Sequence, residues 1–257
     1  MIFLLGCKGF LGSAFSRYFQ EKGMDFSGID LDNYQDFSGK SCDILINANG
    51  NSRKYLAGED PKTEFKMSVQ SVLDSITDFP CRRYIMLSSV DVYTDFSDPA
   101  RNHEETEPDP RLQSAYGFHK YLAEQIVRKY KNNWIIFRLG GMVGKNMVKS
   151  PVYDILNGKS LRVDAASEYQ YINTLDVADI VMHICGLQVK NEVFNLSGRG
   201  TMSLRRIAEI AGKNLTSMQS GLPVQRYEIN NIKISGMVDV PDTWNTVKQF
   251  ISEYLGQ

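Results

Sequence analysis

Ile2-Phe3-Leu4-Leu5-Gly6-Cys7-Lys8-Gly9-Phe10-Leu11-Gly12 is a short apolar run that passes through three glycines, spaced three apart, into a helical pattern. Four apolar residues without alternation fit a strand buried on both faces, as in a parallel sheet. Leu11, Ala14, Phe15 and Tyr18 then recur at helical spacing. In such a strand-turn-helix unit Gly6 permits the tight turn, Gly9 lets the backbone approach a pyrophosphate, and Gly12 allows close helix packing. The free N–H groups and positive dipole end of the helix face the phosphates. Lys8, Phe10 and Leu11, lying between the glycines, join them as cofactor contacts.

The same alternation continues outward. Apolar runs at Asp43 to Asn47, Tyr84 to Leu87 and Trp134 to Phe137 read as further buried strands, with Asp25 to Asp30 between the first two units. Helical patterns separate them: Phe65, Val69, Val72, Leu73 and Ile76 within Glu64 to Thr77, and Leu112, Ala115, Leu122, Ala123, Ile126 and Val127 within Leu112 to Tyr130. Strand alternating with helix predicts an α/β fold, a Rossmann-type doubly wound parallel sheet. Residues 1–145 and part of 170–200 are assigned to it. From about Gly144 the elements shorten (Tyr169 to Thr174, Val177 to Cys185, Val193 to Leu196, Leu204 to Ala211), so 146–257 is expected to form a small C-terminal α/β substrate-binding lobe packed on the first part. Ligands in this architecture bind beyond the carboxyl ends of the strands.

Composition narrows the partners. Against 30 Asp and Glu stand 29 Lys and Arg, a net charge of −1 that removes the field a nucleic-acid or anionic-membrane partner needs. The apolar runs are far shorter than the roughly 20 residues of a membrane-spanning helix, and the start lacks a signal peptide's basic region, so a soluble, cytoplasmic protein is expected. Cys7, Cys42, Cys81 and Cys185 lie far apart and only His103, His119 and His183 accompany them, so no metal site is expected and each cysteine reads as a small apolar residue.

Two side-chain sets carry chemistry. Asp30 closes the second strand 18 positions beyond Gly12, where a carboxylate accepts the adenosine ribose hydroxyls and repels a 2′-phosphate. This favours NAD, although Lys8 is a cation able to reach that phosphate, so NADP stays open. Tyr116 and Lys120 stand at i and i+4 on one helix face; a neighbouring ammonium is expected to lower the phenol's pKa toward useful acid-base strength. Ser89, after a buried strand, is placed to hold a substrate oxygen beside Tyr116.

Taken in order, these motifs resemble the extended short-chain dehydrogenase/reductase superfamily, the NAD(P)-dependent nucleotide-sugar epimerases, dehydratases and reductases. The matches are Gly6, Gly9 and Gly12; Asp30; Asp43-Ile44-Leu45-Ile46-Asn47-Ala48; Asp60-Pro61; Ser88-Ser89 with Val92-Tyr93; and Tyr116 and Lys120 with Ala123-Glu124. Arg138-Leu139 with Gly144, and Tyr171-Ile172-Asn173 before Asp176-Val177-Ala178, complete a stretch of about 200 residues. The resemblance implies that Tyr116 is the acid-base residue, that Lys120 lowers its pKa and holds the nicotinamide ribose, and that Ser89 orients the reacting oxygen. It adds Leu31, Ala48, Asn49, Gly50, Leu87, Ser88 and Leu139 to the cofactor site, and Gly141, Met142 and Tyr169 to the substrate site with Ser89 and Asp91. It also implies a homodimer through the helices Glu64 to Thr77 and Leu112 to Tyr130.

Departures from the family pattern shape the functional expectation. Val90-Asp91 lacks the first acid of the Asp-Glu pair of the 4,6-dehydratases; Asp91 is either a second acid-base group or a cap for the loop before Val92. Only 13 positions separate Asp30 from Asp43, so the adenine wall must come from 31–40, with Asp36-Phe37 as the contact. Ser68 replaces a usual Asn, Gly141 stands where Asn often contacts substrate, and Tyr169 stands where Arg often clamps the diphosphate. Arg53, Lys54 or Lys145 are substitutes for that Arg, or simply solvated surface charges. Asn47-Ala48-Asn49 resembles the family's 4-keto reductases more than its epimerases. The leading expectation is reduction of a 4-keto nucleotide sugar; the alternatives are a nucleotide-sugar C4 epimerase and a non-catalytic NAD-binding regulator.

Overall fold

The computed structural model describes residues 1–51, 53–215 and 221–256. The first half runs β1 (Ile2–Leu5), α1 (Phe10–Glu21), β2 (Phe26–Ile29), α2 (Tyr34–Phe37), β3 (Cys42–Asn47), α3 (Leu56–Glu59), α4 (Pro61–Phe65), α5 (Ser71–Asp78), β4 (Cys81–Ser89) and α6 (Ala115–Tyr130). The second runs β5 (Trp134–Leu139), β6 (Gly141–Val143), α7 (Pro151–Leu156), β7 (Glu168–Tyr169), β8 (Tyr171–Asn173), α8 (Thr174–Gly186), β9 (Glu192–Leu196), β10 (Met202–Ser203), α9 (Leu204–Ile210), β11 (Arg226–Tyr227), α10 (Ile232–Ser235) and α11 (Thr243–Leu255). Six strands form one parallel sheet in the order β2-β1-β3-β4-β5-β9, the Rossmann-type fold expected. The order reverses between β1 and β3, and that switch point opens a crevice beyond their carboxyl ends.

The unbroken apolar runs form these strands because helices cover both faces. Leu4, Ile46, Ile85 and Phe137 join one core with Phe15 of α1 and Val181 of α8, whereas Phe3, Leu45, Tyr84 and Ile136 join another with Val72 of α5 and Val127 of α6. A third core gathers Val143, Val152, Tyr171, Leu204 and Val247, and Phe10 at the start of α1 packs against it. Residues on both sides of the cofactor turn are thereby held to the second half of the chain.

Several expected elements differ in detail. Helix α6 starts at Ala115, not Leu112, because the Ser114 hydroxyl accepts from Gly117 N at 3.0 Å and caps it; Leu112 stands exposed. The helix expected over Glu64 to Thr77 is α4, capped by Asp60 with Pro61 in its first turn, then a π-helical turn over Lys66–Gln70, then α5. The strand expected over Tyr169 to Thr174 divides at the buried Gln170: β7 pairs with β10 and β11, and β8 with β6. Between Asp30 and Asp43 there is room only for the single turn α2. Its Phe37 packs edge-on against Phe3 at 5.5 Å between centroids, so it serves the core and is not the adenine wall. Among the described residues no helix is long and apolar enough to cross a membrane.

Candidate active site

The crevice is built from glycines that admit no side chain. Gly6 has φ +74, and a Cβ there would lie 2.6 Å from Asn49 Oδ1 and 3.1 Å from Ala48 carbonyl carbon. A Cβ on Gly12 would lie 2.0 Å from Gly6 O, so the helix seats directly on the turn. Gly9 starts α1 with no side-chain cap and no acidic residue in the first turn, leaving the N–H groups to a ligand. An uncapped helix end beneath a Cβ-free cradle fits the pyrophosphate of NAD(P). Just past β2, the Asp30 carboxylate accepts from Lys8 N at 3.1 Å and from Leu31 N at 2.9 Å. The Lys8 ammonium pairs with Asp32 at 2.6 Å, a partner not foreseen, and Leu31 stands 93% exposed beside them.

Across the switch point, Ala48, Asn49 and Gly50 follow β3. Asn47 anchors this loop, accepting from Asn49 N at 2.9 Å and donating to Tyr84 OH at 2.7 Å. A Cβ on Gly50 would lie 3.6 Å from Lys120 Nζ, so the loop borders the catalytic helix. Lys120 is buried and donates to Leu87 O at 3.2 Å. Ser88 turns away from the crevice. Its hydroxyl donates to Glu124 at 2.6 Å, and Glu124 holds Arg138 in a two-pronged ion pair (3.1 and 2.8 Å) whose guanidinium donates to Tyr93 OH at 2.9 Å. Three of the motif fragments, Ala123-Glu124, Arg138-Leu139 and Val92-Tyr93, thus meet in one buried network behind the site, and Leu139 itself lies in the core.

Ser89, Asp91 and Tyr116 come together as the spacing suggested. Ser89 Oγ donates to Asp91 Oδ2 at 2.6 Å, with the Tyr116 phenol beside it. Ser89, not Asp91, caps the turn over Val90–Val92, which leaves the Asp91 carboxylate facing the crevice. Helix α6 approaches this turn so closely that a Cβ on Gly117 would lie 2.0 Å from Asp91 O. The ionisation of Tyr116 differs from expectation. Burial, then the carboxylates of Asp91 and Glu64, push its pKa well up, while the ammonium that was to lower it is committed to Leu87 O and is itself pushed down by burial. Glu64 is wholly buried, bonded to Ser68 and to His119.

Phe96, Tyr227 and Lys149 were not singled out by the sequence reading, and Lys54 takes a partner that it did not foresee. Lys54, one of three cations offered as diphosphate ligands or solvated charges, places Nζ 2.6 Å from Asp91 Oδ2, 6.0 Å from the Tyr116 ring centroid and 5.7 Å from that of Tyr227. Tyr227 stacks on Phe96 at 4.6 Å and on Tyr169 at 5.5 Å, an aromatic column along the substrate side. Tyr169 donates to Gln225 Oε1 at 2.8 Å. Lys149 is exposed as a residue, yet partial desolvation of its ammonium, then Arg53 and Lys54, bring its pKa down to about 8. Lys145 instead lines a hollow with Ser13, Arg17 and Asn146. Gly141 and Met142 pair with Tyr171 and Ile172, and Met142 packs on the core below. Among the described residues no group of three or more His, Cys, Asp or Glu is placed to hold a metal.

Solved structures share this architecture over its full length. A dTDP-4-dehydrorhamnose reductase of Clostridium acetobutylicum ATCC 824 is 17% identical at a TM-score of 0.81, with 100% of this chain and 99% of that one covered. That of Bacillus anthracis str. Ames in complex with NADP is 15% identical at 0.80 (98% and 97% covered), and the UDP-glucose 4-epimerase of Thermus thermophilus in complex with NAD is 16% identical at 0.76 (99% and 99%). No curated protein sequence gives a significant match. The family model of the NAD dependent epimerase/dehydratase family matches residues 2–197, from the glycine turn to the end of the sheet, and the chain belongs to that family.

Proposed function

We propose that the protein reduces a ketone on a nucleotide-linked sugar, with C4 of a 4-keto-6-deoxy sugar as the substrate class, and that Tyr116 supplies the proton. The nicotinamide cofactor supplies the hydride when bound. The observation that carries this reading is the meeting of Ser89, Asp91 and Tyr116 at the crevice beyond the carboxyl ends of the strands. Burial and two facing carboxylates hold the Tyr116 phenol protonated through neutral pH, which is the state from which a carbonyl oxygen is protonated. Ser89, bonded to Asp91 and beside Tyr116, orients the carbonyl oxygen next to that phenol. Gly6, Gly9 and Gly12 cradle the pyrophosphate, Asp30 takes the adenosine ribose and Lys120 the nicotinamide ribose. Two carboxylates, Asp30 and Asp32, face the adenosine ribose against the single ammonium of Lys8, which supports NAD over NADP. On the substrate side Arg53, Lys54 and Lys149 supply the positive potential for a diphosphate that the residue at Tyr169 does not.

The test follows oxidation of NADH and NADPH with a panel of 4-keto nucleotide sugars. Net consumption in the presence of a keto sugar is expected, and Tyr116→Phe should lower turnover by roughly 10²–10⁴-fold while cofactor affinity is unchanged. Unchanged turnover in that variant refutes the assignment. Stoichiometric cofactor retained through purification, with isomerisation and no net oxidation, would mean a C4 epimerase; binding of NAD but of no sugar nucleotide would mean a non-catalytic protein. The reading includes a homodimer through the helical segments Glu64 to Thr77 and Leu112 to Tyr130, where Phe65 of α4 and Met67 of the π-helical turn stand exposed, and light scattering at micromolar concentration tests it.

A further inference from the structure

Cys42 is the first residue of β3 and Cys81 the first of β4, and the register places them directly opposite one another. Neighbouring strands lie about 4.8 Å apart, inside the roughly 4.4–6.8 Å between Cα atoms that a disulfide spans. Both side chains pack on the same core face, with Phe3 and Tyr84, and both remain half-exposed. The Cys42 thiol donates a hydrogen bond to the Cys81 sulfur, and Lys131, just past the end of α6, bonds Cys81 from the other side. The other two cysteines have no such partner among the described residues: Cys7 lies in the glycine turn and Cys185 is buried in α8. The pair stands at the amino ends of the strands, remote from the crevice, and catalysis makes no use of it.

We propose that Cys42 and Cys81 are a reversible thiol-disulfide site that responds to hydroperoxides. The Cys42 hydrogen bond, joined by Lys131, outweighs burial and brings Cys81 down to about 7, whereas the same bond and burial push Cys42 up. The cation of Lys131 beside Cys81 makes Cys81 the attacking thiolate and leaves Cys42 as the resolving thiol. The Cys81 thiolate attacks the terminal oxygen of the hydroperoxide; the O–O bond breaks, the alkoxide leaves and takes a proton from solvent, and the sulfur is oxidised by two electrons to a sulfenic acid. Cys42 sulfur then attacks that sulfur, an S–S bond forms, and the hydroxyl leaves with the Cys42 proton as water. Two thiols and one hydroperoxide give one disulfide, one alcohol (water when the oxidant is hydrogen peroxide) and one water. A dithiol reductant restores the two thiols by thiol–disulfide exchange and is itself oxidised to a disulfide.

The test treats the reduced full-length protein with hydrogen peroxide across a pH series and maps the peptides. Two of the four thiols should be lost per chain as a Cys42–Cys81 cross-link that dithiothreitol reverses, with the rate rising through pH about 7. Cys42→Ser should stop at a Cys81 sulfenic acid trapped by dimedone, and Cys81→Ser should remove the fast reaction. Thiol loss spread evenly over Cys7 and Cys185, or Cys81 passing to a sulfinic acid in the parent without cross-linking, overturns the proposal. The parent's peptide map decides even where a variant fails to fold.

Discussion

Gly117→Ala separates helix propensity from site geometry, because the two predict opposite signs. On propensity alone, Ala in a helix is better than Gly by about 1 kcal/mol. In this structure the new Cβ would lie 2.0 Å from Asp91 O and 3.0 Å from its carbonyl carbon, both backbone atoms that no rotamer change can move. A carbon and a carbonyl oxygen settle at roughly 3.3 Å, so α6 must lift from the Val90–Val92 turn by about 1.3 Å. Overpacking of this kind costs about 1–3 kcal/mol. Set against the propensity gain, a net loss of up to about 2 kcal/mol is expected, a melting temperature lower by several degrees at about 2–4 °C per kcal/mol for a chain of this size. Tyr116 is the neighbouring residue, and it moves relative to Ser89 and Asp91. A misplacement of about 1 Å costs on the order of 10²-fold in turnover. The assay pairs thermal melting with turnover on a keto sugar and cofactor affinity by fluorescence titration. A variant that melts at or above the parent, with turnover within about threefold, refutes the claim that this contact sets the catalytic geometry.

Removing one member of the buried Glu124–Arg138 pair, as in Arg138→Met, leaves an uncompensated buried carboxylate and takes the guanidinium donor from Tyr93 OH, which keeps only its bond to Asn195. It should destabilise by about 3–5 kcal/mol in denaturant melts. Because Lys149 titrates near about 8, it is cationic below that pH and neutral above, so KM for a diphosphate substrate should rise as pH increases through that value. In Lys149→Met the KM should be raised about tenfold and the inflection lost; an unchanged profile would remove Lys149 from the substrate site. Asp30→Ser should weaken NAD and improve NADP relative to it by at least about tenfold in the ratio of dissociation constants, since a like charge beside the 2′-phosphate is withdrawn.

What could be read from the chain beforehand was what local pattern encodes. Strand β1, the glycine turn and α1 are contiguous, so their fold and ligand end were legible in twelve residues. The i and i+4 spacing of Tyr116 and Lys120 put both on the buried face of α6, and the short interval after Asp30 correctly left room for one turn only. Spacing is silent about what crosses from elsewhere. Tyr227 reaches Asp91 from 136 positions away at 3.5 Å, and Cys42 meets Cys81 only because β3 and β4 are neighbours in register. Apolar character is likewise ambiguous about its partner: Phe37 has the chemistry to flank adenine, but Phe3 is near enough to claim its ring. Lys54 read as a surface charge because 56% of its side chain does remain in solvent, with only the ammonium drawn to Asp91.

The difference at Tyr116 is the most informative, since the same two residues give opposite shifts of its pKa depending on where the ammonium points. An ammonium some 4 Å from a phenolate is worth about 4 kcal/mol at the effective dielectric of a partly screened site, and much less as distance and solvent grow. Lys120 spends its proximity on the Leu87 carbonyl, and the charges that Tyr116 senses are the carboxylates of Asp91 and Glu64. Lys54 does not reverse this, because it is paired with Asp91 and half in water. Burial and the carboxylates therefore win, and the phenol begins the reaction carrying its proton. The same field opposes the phenolate whether it opens an oxidation or is left behind by a reduction, so it sets how weak an acid Tyr116 is and not the direction of the reaction.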